Sequence, residues 1–433
     1  MTSPSSPSRT LIVLALPVIV VSVAVIYREA IASYFLNDDF QWLQEKWAFN
    51  FWHLLDLGRY NHFYRPAIQV YFYLSATALG CDATAFHVVS VALHLVNTGL
   101  LYLLVRDLTR HQMLAALAAL FFAVQPGYVE AVAWVSAICD LLAATWTLLT
   151  LWLYLRFLRD RRALDYTLSL TTFTLCLLTH ESSSVLLPTM AALEFAMAHL
   201  GLGVRQDQSL ARTAARYTPF VVLLAGSLCA TFVVTHRSYI IQEGHYALGW
   251  HIIRNVLDDV VALYVGKHKW WSYAAIVGAL TATWWRGGWP VRFAIAWIVI
   301  AAMPTSLFIG GVASRYLYVP AAPFAMMIAV GVMAVRDLAS SRWSPAVGAG
   351  LTAAFAIIVA ARFGVFASGG SRDFRNLTRP FEHLAVAVRA ARERSGSDAL
   401  VLDASDVAGI KDIYVEPAAR IAMCSPTVTV TVH

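Results

Sequence analysis

Charge is what this sequence has least of. Of its 433 residues, 13% are Asp, Glu, Lys or Arg, about half the share of an ordinary soluble domain. That excludes a water-soluble monomer. Cysteine is sparse and scattered, with five residues (Cys81, Cys139, Cys176, Cys229 and Cys424). They form no CxxC or Cys/His cluster, so neither a zinc site nor a disulfide framework is suggested. The chain also lacks a glycine-rich nucleotide loop, an internal repeat at a solenoid period, and the basic patch with interleaved aromatics that a nucleic-acid surface needs. What it has in excess is apolar: 59% hydrophobic and 12% aromatic residues, the reverse of a disordered composition. The class that remains is an all-α polytopic membrane protein.

The apolar runs set the layout. Residues 1–10 are a polar tail, and 11–27 read as an uncleaved first span. Ten further runs follow at roughly 84–105, 112–127, 139–157, 164–180, 183–200, 215–235, 272–285, 290–309, 317–335 and 345–366. Eleven spans of roughly 20 residues would use about half the chain. Residues 28–80 form a mixed, aromatic first outside loop with interfacial helices. The ambiguous stretches 66–80 and 250–266 are assigned to interfacial or re-entrant helices. The net charge of +6 is distributed as the positive-inside rule requires. Thirteen arginines (106, 110, 156, 159, 161, 162, 205, 212, 216, 286, 292, 336 and 342) fall in connections on one side, and the short connections opposite hold only Arg315. The expected topology has the N-terminus in the cytoplasm and the C-terminus outside. Residues 1–366 form the membrane domain. Residues 367–433 form a small extracytoplasmic module, with a helix at 379–394 and strands within 398–405 and 426–432.

This topology collects ionisable residues on the outer side: Asp38 and Asp39 in the first loop, Arg65 before Pro66, Glu130 and Asp140, His180 and Glu181, then Arg315 with Tyr316 and Tyr318. Such residues are costly near hydrocarbon and tend to be functional. Each also has a bland reading. An Asp pair is commonest as a solvated loop or helix start, Asp140 suits an N-cap, Glu181 suits a helix dipole, and the arginines suit lipid-headgroup anchors. Asp258 and Asp259 form a second acidic pair, inside an amphipathic stretch.

In order, the segments FLNDDF (35–40), YRP (64–66), 86–108, 118–144 with VEAVAWVS at its centre, LLTHESSSVLLP (177–188) and ASRYLYVP (313–320) resemble the GT-C class of membrane glycosyltransferases, in its protein O-mannosyltransferase and TMTC-like branch. The chain lacks that branch's tetratricopeptide repeats, and it has Gln125 and His180 where the branch more often shows His and Lys.

The resemblance implies a GT-C-like bundle and sugar transfer from a polyprenyl-phosphate donor to a hydroxyl of a protein, glycan or lipid, with inversion. It implies Asp38 or Asp39 as base, Asp38 preferred, and Arg65 and Arg315 on phosphate. Glu130 would orient acceptor or sugar, with Asp140, His180, Glu181, Tyr316 and Tyr318 completing the substrate site. A divalent metal near the acids is compatible with this reading and is not required by it. The alternatives are a transporter of lipid-linked glycan or polymer and a non-catalytic scaffold. Richness in Ala and Arg points to a bacterial inner membrane. No nucleic-acid partner is expected.

Overall fold

The structure is a computed structural model and describes residues 9–60, 62–200, 209–236, 238–265, 270–309 and 313–432. Residues 1–8 of the polar tail, Arg205, and 310–312 of the outside connection lie outside the described residues.

Each of the eleven apolar runs is a helix. The first is α1 (Arg9–Ile31). The loop after it carries α2 (Asp38–Leu43), α3 (Glu45–Ala48) and α4 (Pro66–Leu79). Then come α5 (Ala83–Thr109), α6 (Gln112–Val124), the short α7 (Val129–Ala133), α8 (Ile138–Asp160), α9 (Ala163–Leu177) and α10 (Leu186–His199). The second half holds α11 (Leu210–Thr235), the short α12 (Tyr239–Gln242), α13 (His251–Val265), α14 (Trp270–Arg286), α15 (Trp289–Ser306), α16 (Tyr318–Arg342) and α17 (Pro345–Ser395). Among the described residues, six helices are long and apolar enough to cross a membrane, or seven if the bent pair Gln112–Val124 and Pro126–Ala133 counts as one. By contrast α9, α10 and α14 have 15, 14 and 17 residues, short of the roughly 20 a full crossing takes. The ambiguous stretches are the short helices α4 and α13, and neither is among the long apolar ones.

Local chemistry sets the helix ends. Asp82 caps α5 by accepting from Ala85 N at 3.3 Å, and Ser344 caps α17 by accepting from Val347 N at 3.3 Å. Proline starts α4 and α17, where its missing N–H costs nothing. A left-handed Gly396 (φ 63°) ends α17, a conformation glycine adopts without strain.

A buried polar network ties α5, α8 and α16 together. Asn97 donates to Leu141 O at 3.0 Å and to the Tyr318 hydroxyl at 3.2 Å. Thr145 donates to Asn97 at 2.7 Å, and His94 Nδ1 bonds the Tyr318 hydroxyl at 2.7 Å.

Helix α17 has 51 residues, about 76 Å at 1.5 Å per residue, whereas a bilayer core is about 30 Å thick. One half therefore stands clear of the bundle, on the side of the first loop. The segment 379–394 expected as a separate helix is the continuation of this one. After it come β1 (Ala399–Leu402), α18 (Asp412–Met423) and β2 (Thr429–Val432). The two strands pair in parallel, from Ala399 opposite Thr429 to Leu402 opposite Val432. A disulfide joins Cys81, in the turn before α5, to Cys424 at the end of α18. This corrects the expectation of no disulfide. The partners lie 343 residues apart, so no spacing rule could pair them.

Candidate active site

The site is assembled around the segment 130–140, which touches Asp39, Arg65 and Arg315. The first contact is with the acidic pair. Asn37 takes a left-handed conformation (φ 47°) and turns the chain into α2, whose first two residues are Asp38 and Asp39. On a helix, neighbours point about 100° apart, and the two acids separate accordingly. Asp39 is 0% exposed. It accepts from Leu36 N at 2.8 Å, from Ser136 N at 2.7 Å and from the Ser136 hydroxyl. Burial pushes its carboxyl up to about 7 against these three donors, and the neighbouring charge of Asp38 adds to the rise. Trp134 Nε1 donates to Leu36 O at 3.2 Å, which fixes the same turn from above. Asp38 is half-buried, and its Oδ1 accepts from the Tyr414 hydroxyl of α18 at 2.8 Å.

The second contact is with Arg65. Its backbone precedes Pro66 at the start of α4, and its guanidinium lies over the Phe63 ring at 4.3 Å. Glu181 takes the planar fork from two sides: Nε donates to Oε2 at 2.9 Å and Nη2 to Oε1 at 2.6 Å. The guanidinium also reaches Cys139 Sγ at 3.5 Å and His180 Nε2 at 3.2 Å. Burial works to raise the Glu181 carboxyl, but the charge and hydrogen bonds of Arg65, helped by His180, outweigh it and hold it at about 2. Burial, reinforced by the two arginines, drives His180 down to about 3 although Glu181 pulls the other way. The imidazole is therefore neutral, and its Nδ1 accepts from Ser182 N at 3.1 Å.

The third contact is with Arg315. Its Nη1 donates to Glu130 Oε1 at 2.6 Å, while Ser314 Oγ donates to Glu130 Oε2 at 2.7 Å. Its guanidinium sits 5.0 Å from the centre of the Trp134 ring and 4.7 Å from that of Tyr316, and it donates to the Tyr316 hydroxyl at 3.2 Å. Side-chain exposure is 24% for Arg315 and 11% for Arg65, so Arg315 is the more open cation.

Two cavities adjoin the cluster. The smaller, about 30 Å³, is lined by Asp140, Ser182, Ser183, Thr305 and Tyr316 among others. The larger, about 320 Å³, has His180, Glu181 and Tyr316 at its polar end and Ile241, Leu307 and Phe308 in its apolar wall.

Of the residues singled out from sequence, Asp39, Arg65, Glu130, Asp140, His180, Glu181, Arg315 and Tyr316 meet in this cluster, and Asp38 stands at its edge beside α18. Tyr318 does not join them. It is wholly buried and bonded to His94 and Asn97. Two residues along a tight turn point to opposite sides, so Tyr316 faces the site and Tyr318 faces the bundle core. The second acidic pair is not part of the cluster, although Asp259 lies behind Thr305 of the cavity wall. Asp258 accepts from Tyr273 at 2.5 Å, and Asp259 accepts from Thr305 at 3.4 Å. The residues sequence reasoning missed are Ser136, Trp134, Cys139 and Tyr414. The first three lie within or beside VEAVAWVS, so their signal was present in the motif. Tyr414 had none.

Ligand atoms of Cys139, Asp140 and His180 lie within 4.8 Å of one another, a spacing that could suit a divalent cation. Arg65 decides against it, because its guanidinium already contacts both the Cys139 sulfur and His180 Nε2. A second cation there would face a fixed positive charge. The donor set does not fit a metal, and no step is assigned to one.

Residues 65–240 match the family model described as dolichyl-phosphate-mannose-protein mannosyltransferase. That stretch contains Arg65, Glu130, Asp140, His180 and Glu181 and leaves Asp38, Asp39 and Arg315 outside. Over 108 residues, 25% of its length, the chain is 34% identical to the protein O-mannosyl-transferase Tmtc1 of Drosophila melanogaster, and it covers 12% of that relative. Among solved structures it is similar to ArnT from Cupriavidus metallidurans bound to undecaprenyl phosphate, with a TM-score of 0.56 and 13% identity over 98% of this chain and 86% of that one. It is also similar to the archaeal oligosaccharyltransferase AglB from Archaeoglobus fulgidus, in complex with an inhibitory peptide and a dolichol-phosphate, with a TM-score of 0.53 and 13% identity over 87% of this chain and 58% of that one. At 13% identity the likeness is one of fold.

Proposed function

We propose that this chain is a membrane glycosyltransferase of the GT-C class, moving a sugar from a polyprenyl-phosphate donor to a hydroxyl acceptor at the end of the bundle that carries the first loop. One observation carries the reading. The segment 130–140 anchors, through Asp39, the loop that carries the half-exposed Asp38, and it contacts the guanidinium groups of Arg65 and Arg315 beside a cavity with polar residues and an apolar wall. A polyprenyl-phosphate sugar has the same division, with an apolar tail and a charged head. The matched family description and the matched relative both name protein mannosyl transfer, which favours a protein hydroxyl as acceptor.

In this mechanism Asp38 takes the proton of the acceptor hydroxyl as its oxygen bonds to the anomeric carbon. The bond from that carbon to the phosphate oxygen breaks in the same displacement, so the configuration inverts. The lipid phosphate leaves with its charge met by fixed cations. Arg315, the more open of the two, is the direct contact, together with Tyr316. Arg65 is held ready by Glu181 and supplies positive potential from behind. Asp39 anchors the loop that presents Asp38. Glu130, Asp140 and His180 shape the space for sugar and acceptor. The site faces the extracytoplasmic side of a bacterial inner membrane.

The test is transfer by the purified full chain from a polyprenyl-phosphate sugar, with donor binding measured separately. Asp38→Asn keeps the shape and cannot take a proton, so turnover should fall about 10²- to 10⁴-fold with donor binding little changed. Asp258→Asn, which lies outside the cluster, should be nearly silent. Full turnover in Asp38→Asn would sink the mechanism, and transport without transfer would favour a transporter.

A further inference from the structure

The last third of α17 and the elements after it lie against the first loop. Phe381 of α17 packs on Phe40 of α2 with ring centres 5.0 Å apart. Arg420 of α18 donates to Gln44 at 3.3 Å. Cys424, in a left-handed conformation (φ 48°) at the end of α18, is bonded to Cys81. Tyr414, in the first turn of the same helix, donates to Asp38 Oδ1 at 2.8 Å. So α18 is fixed at its far end by a covalent bond and in its last turn by Arg420. Its near end delivers one hydroxyl to one carboxylate oxygen.

We infer that Tyr414 is a positioning residue for Asp38, and that the Cys81–Cys424 disulfide holds the helix that presents it. The inference rests on the reading of Asp38 as the base. A half-exposed carboxylate at the start of a six-residue helix can turn about its side-chain bonds. A proton acceptor is efficient only when one oxygen is aimed at the acceptor hydroxyl within hydrogen-bond reach. A phenol bonded to Oδ1 stops that rotation and leaves Oδ2 to receive the proton. No hydrogen bond to Oδ2 is made among the described residues. The phenol reaches Asp38 only while α18 lies on α2. Val415, Ala418, Ala419 and Ile421 bury the inner face of α18, and a covalent tie between residues 343 positions apart in sequence adds to that packing and makes the placement durable.

The experiment uses the purified full chain in lipid, with kcat, KM for donor and for acceptor, and thermal melting measured for each variant. Tyr414→Phe keeps the ring and removes the hydroxyl. It should lower kcat roughly 10- to 100-fold, the range that misplacing a reacting group produces, with both KM values and the melting temperature unchanged. In the Asp38→Asn background the same change should have no further effect, because residues that act through one another are not additive. The double variant Cys81→Ser/Cys424→Ser should lose kcat in wild-type Tyr414 and lose none in Tyr414→Phe. Wild-type kcat in Tyr414→Phe beside a dead Asp38→Asn would overturn the inference and leave the base standing. An equal loss from Tyr414→Phe in both backgrounds would also overturn it, and so would wild-type kcat in the double serine variant. An active Asp38→Asn would instead remove the base reading on which the inference depends.

Discussion

The two arginines show how the same side chain can have two different environments in one site. Arg65 has its fork closed on Glu181, beneath a loop and over Phe63. Removing it leaves Glu181 half-buried and unpaired, so Arg65→Ala should lose both donor affinity and thermal stability. Arg315 gives one nitrogen to Glu130 at the rim, so Arg315→Ala should lose donor affinity with the fold nearly untouched. For Arg315, a direct charge-assisted contact to phosphate in a water-poor site contributes on the order of 2–4 kcal/mol, about 30- to 1000-fold in the dissociation constant, and Arg65, acting from behind, should cost less affinity. Lysine should restore either only in part, because it presents a point charge rather than a planar fork. Donor binding and melting curves on the four variants check this. Wild-type donor affinity in both alanine variants would favour the arginines as lipid-headgroup anchors.

At the scale of the element, a buried acid ties the first loop to the bundle. Asp39 gathers Leu36 N, Ser136 N and the Ser136 hydroxyl, and together with the Trp134 bond to Leu36 O this holds the turn into α2 to the segment 130–140. Burial raises the carboxyl from 3.8 to about 7. A folded-state value above the unfolded one contributes stability that is fully present below the unfolded value and is lost as pH rises through the folded one. The wild-type melting temperature should therefore fall as pH rises from about 4 to about 7. Asp39→Asn has no proton to lose there, so its melting temperature should change less across that window. Parallel curves for the two proteins would mean that Asp39 does not carry the dependence.

At the scale of the molecule, the bundle presents its cluster at one end and its arginine-rich connections at the other. If the positive-inside rule sets the orientation, reporters fused after Arg162, Arg212 and Arg342 should read cytoplasmic. Fusions after Glu130 and Ser395 should read outside. A cytoplasmic reading at Ser395 beside an outside reading at Glu130 would put α18 on the wrong side of the membrane from Asp38. It would therefore contradict the Tyr414 contact as well as the orientation.

Composition and periodicity by themselves determined that the chain is a helical membrane protein, where its long helices lie, and that its ionisable residues collect at the connections on one side. These follow from local physics, because each apolar run must bury its own backbone polar groups in hydrogen bonds within the run. The order of motifs picked out most of the residues that meet in the cluster, because Arg65, Glu130, Asp140, His180 and Glu181 sit next to the prolines, turns and caps that position them. Only the tertiary structure decided which neighbour faces which way. Asp38 and Asp39 are identical in sequence terms, as Tyr316 and Tyr318 nearly are. A rotation of about 100° per residue, together with the packing of the segment 130–140, separates an anchored acid from a half-exposed one and a site tyrosine from a core tyrosine. The tie between Cys81 and Cys424, and the arrival of Tyr414 at Asp38, depend on where α17 sets down the end of the chain. That placement is a long-range packing result, and no local pattern in the sequence encodes it.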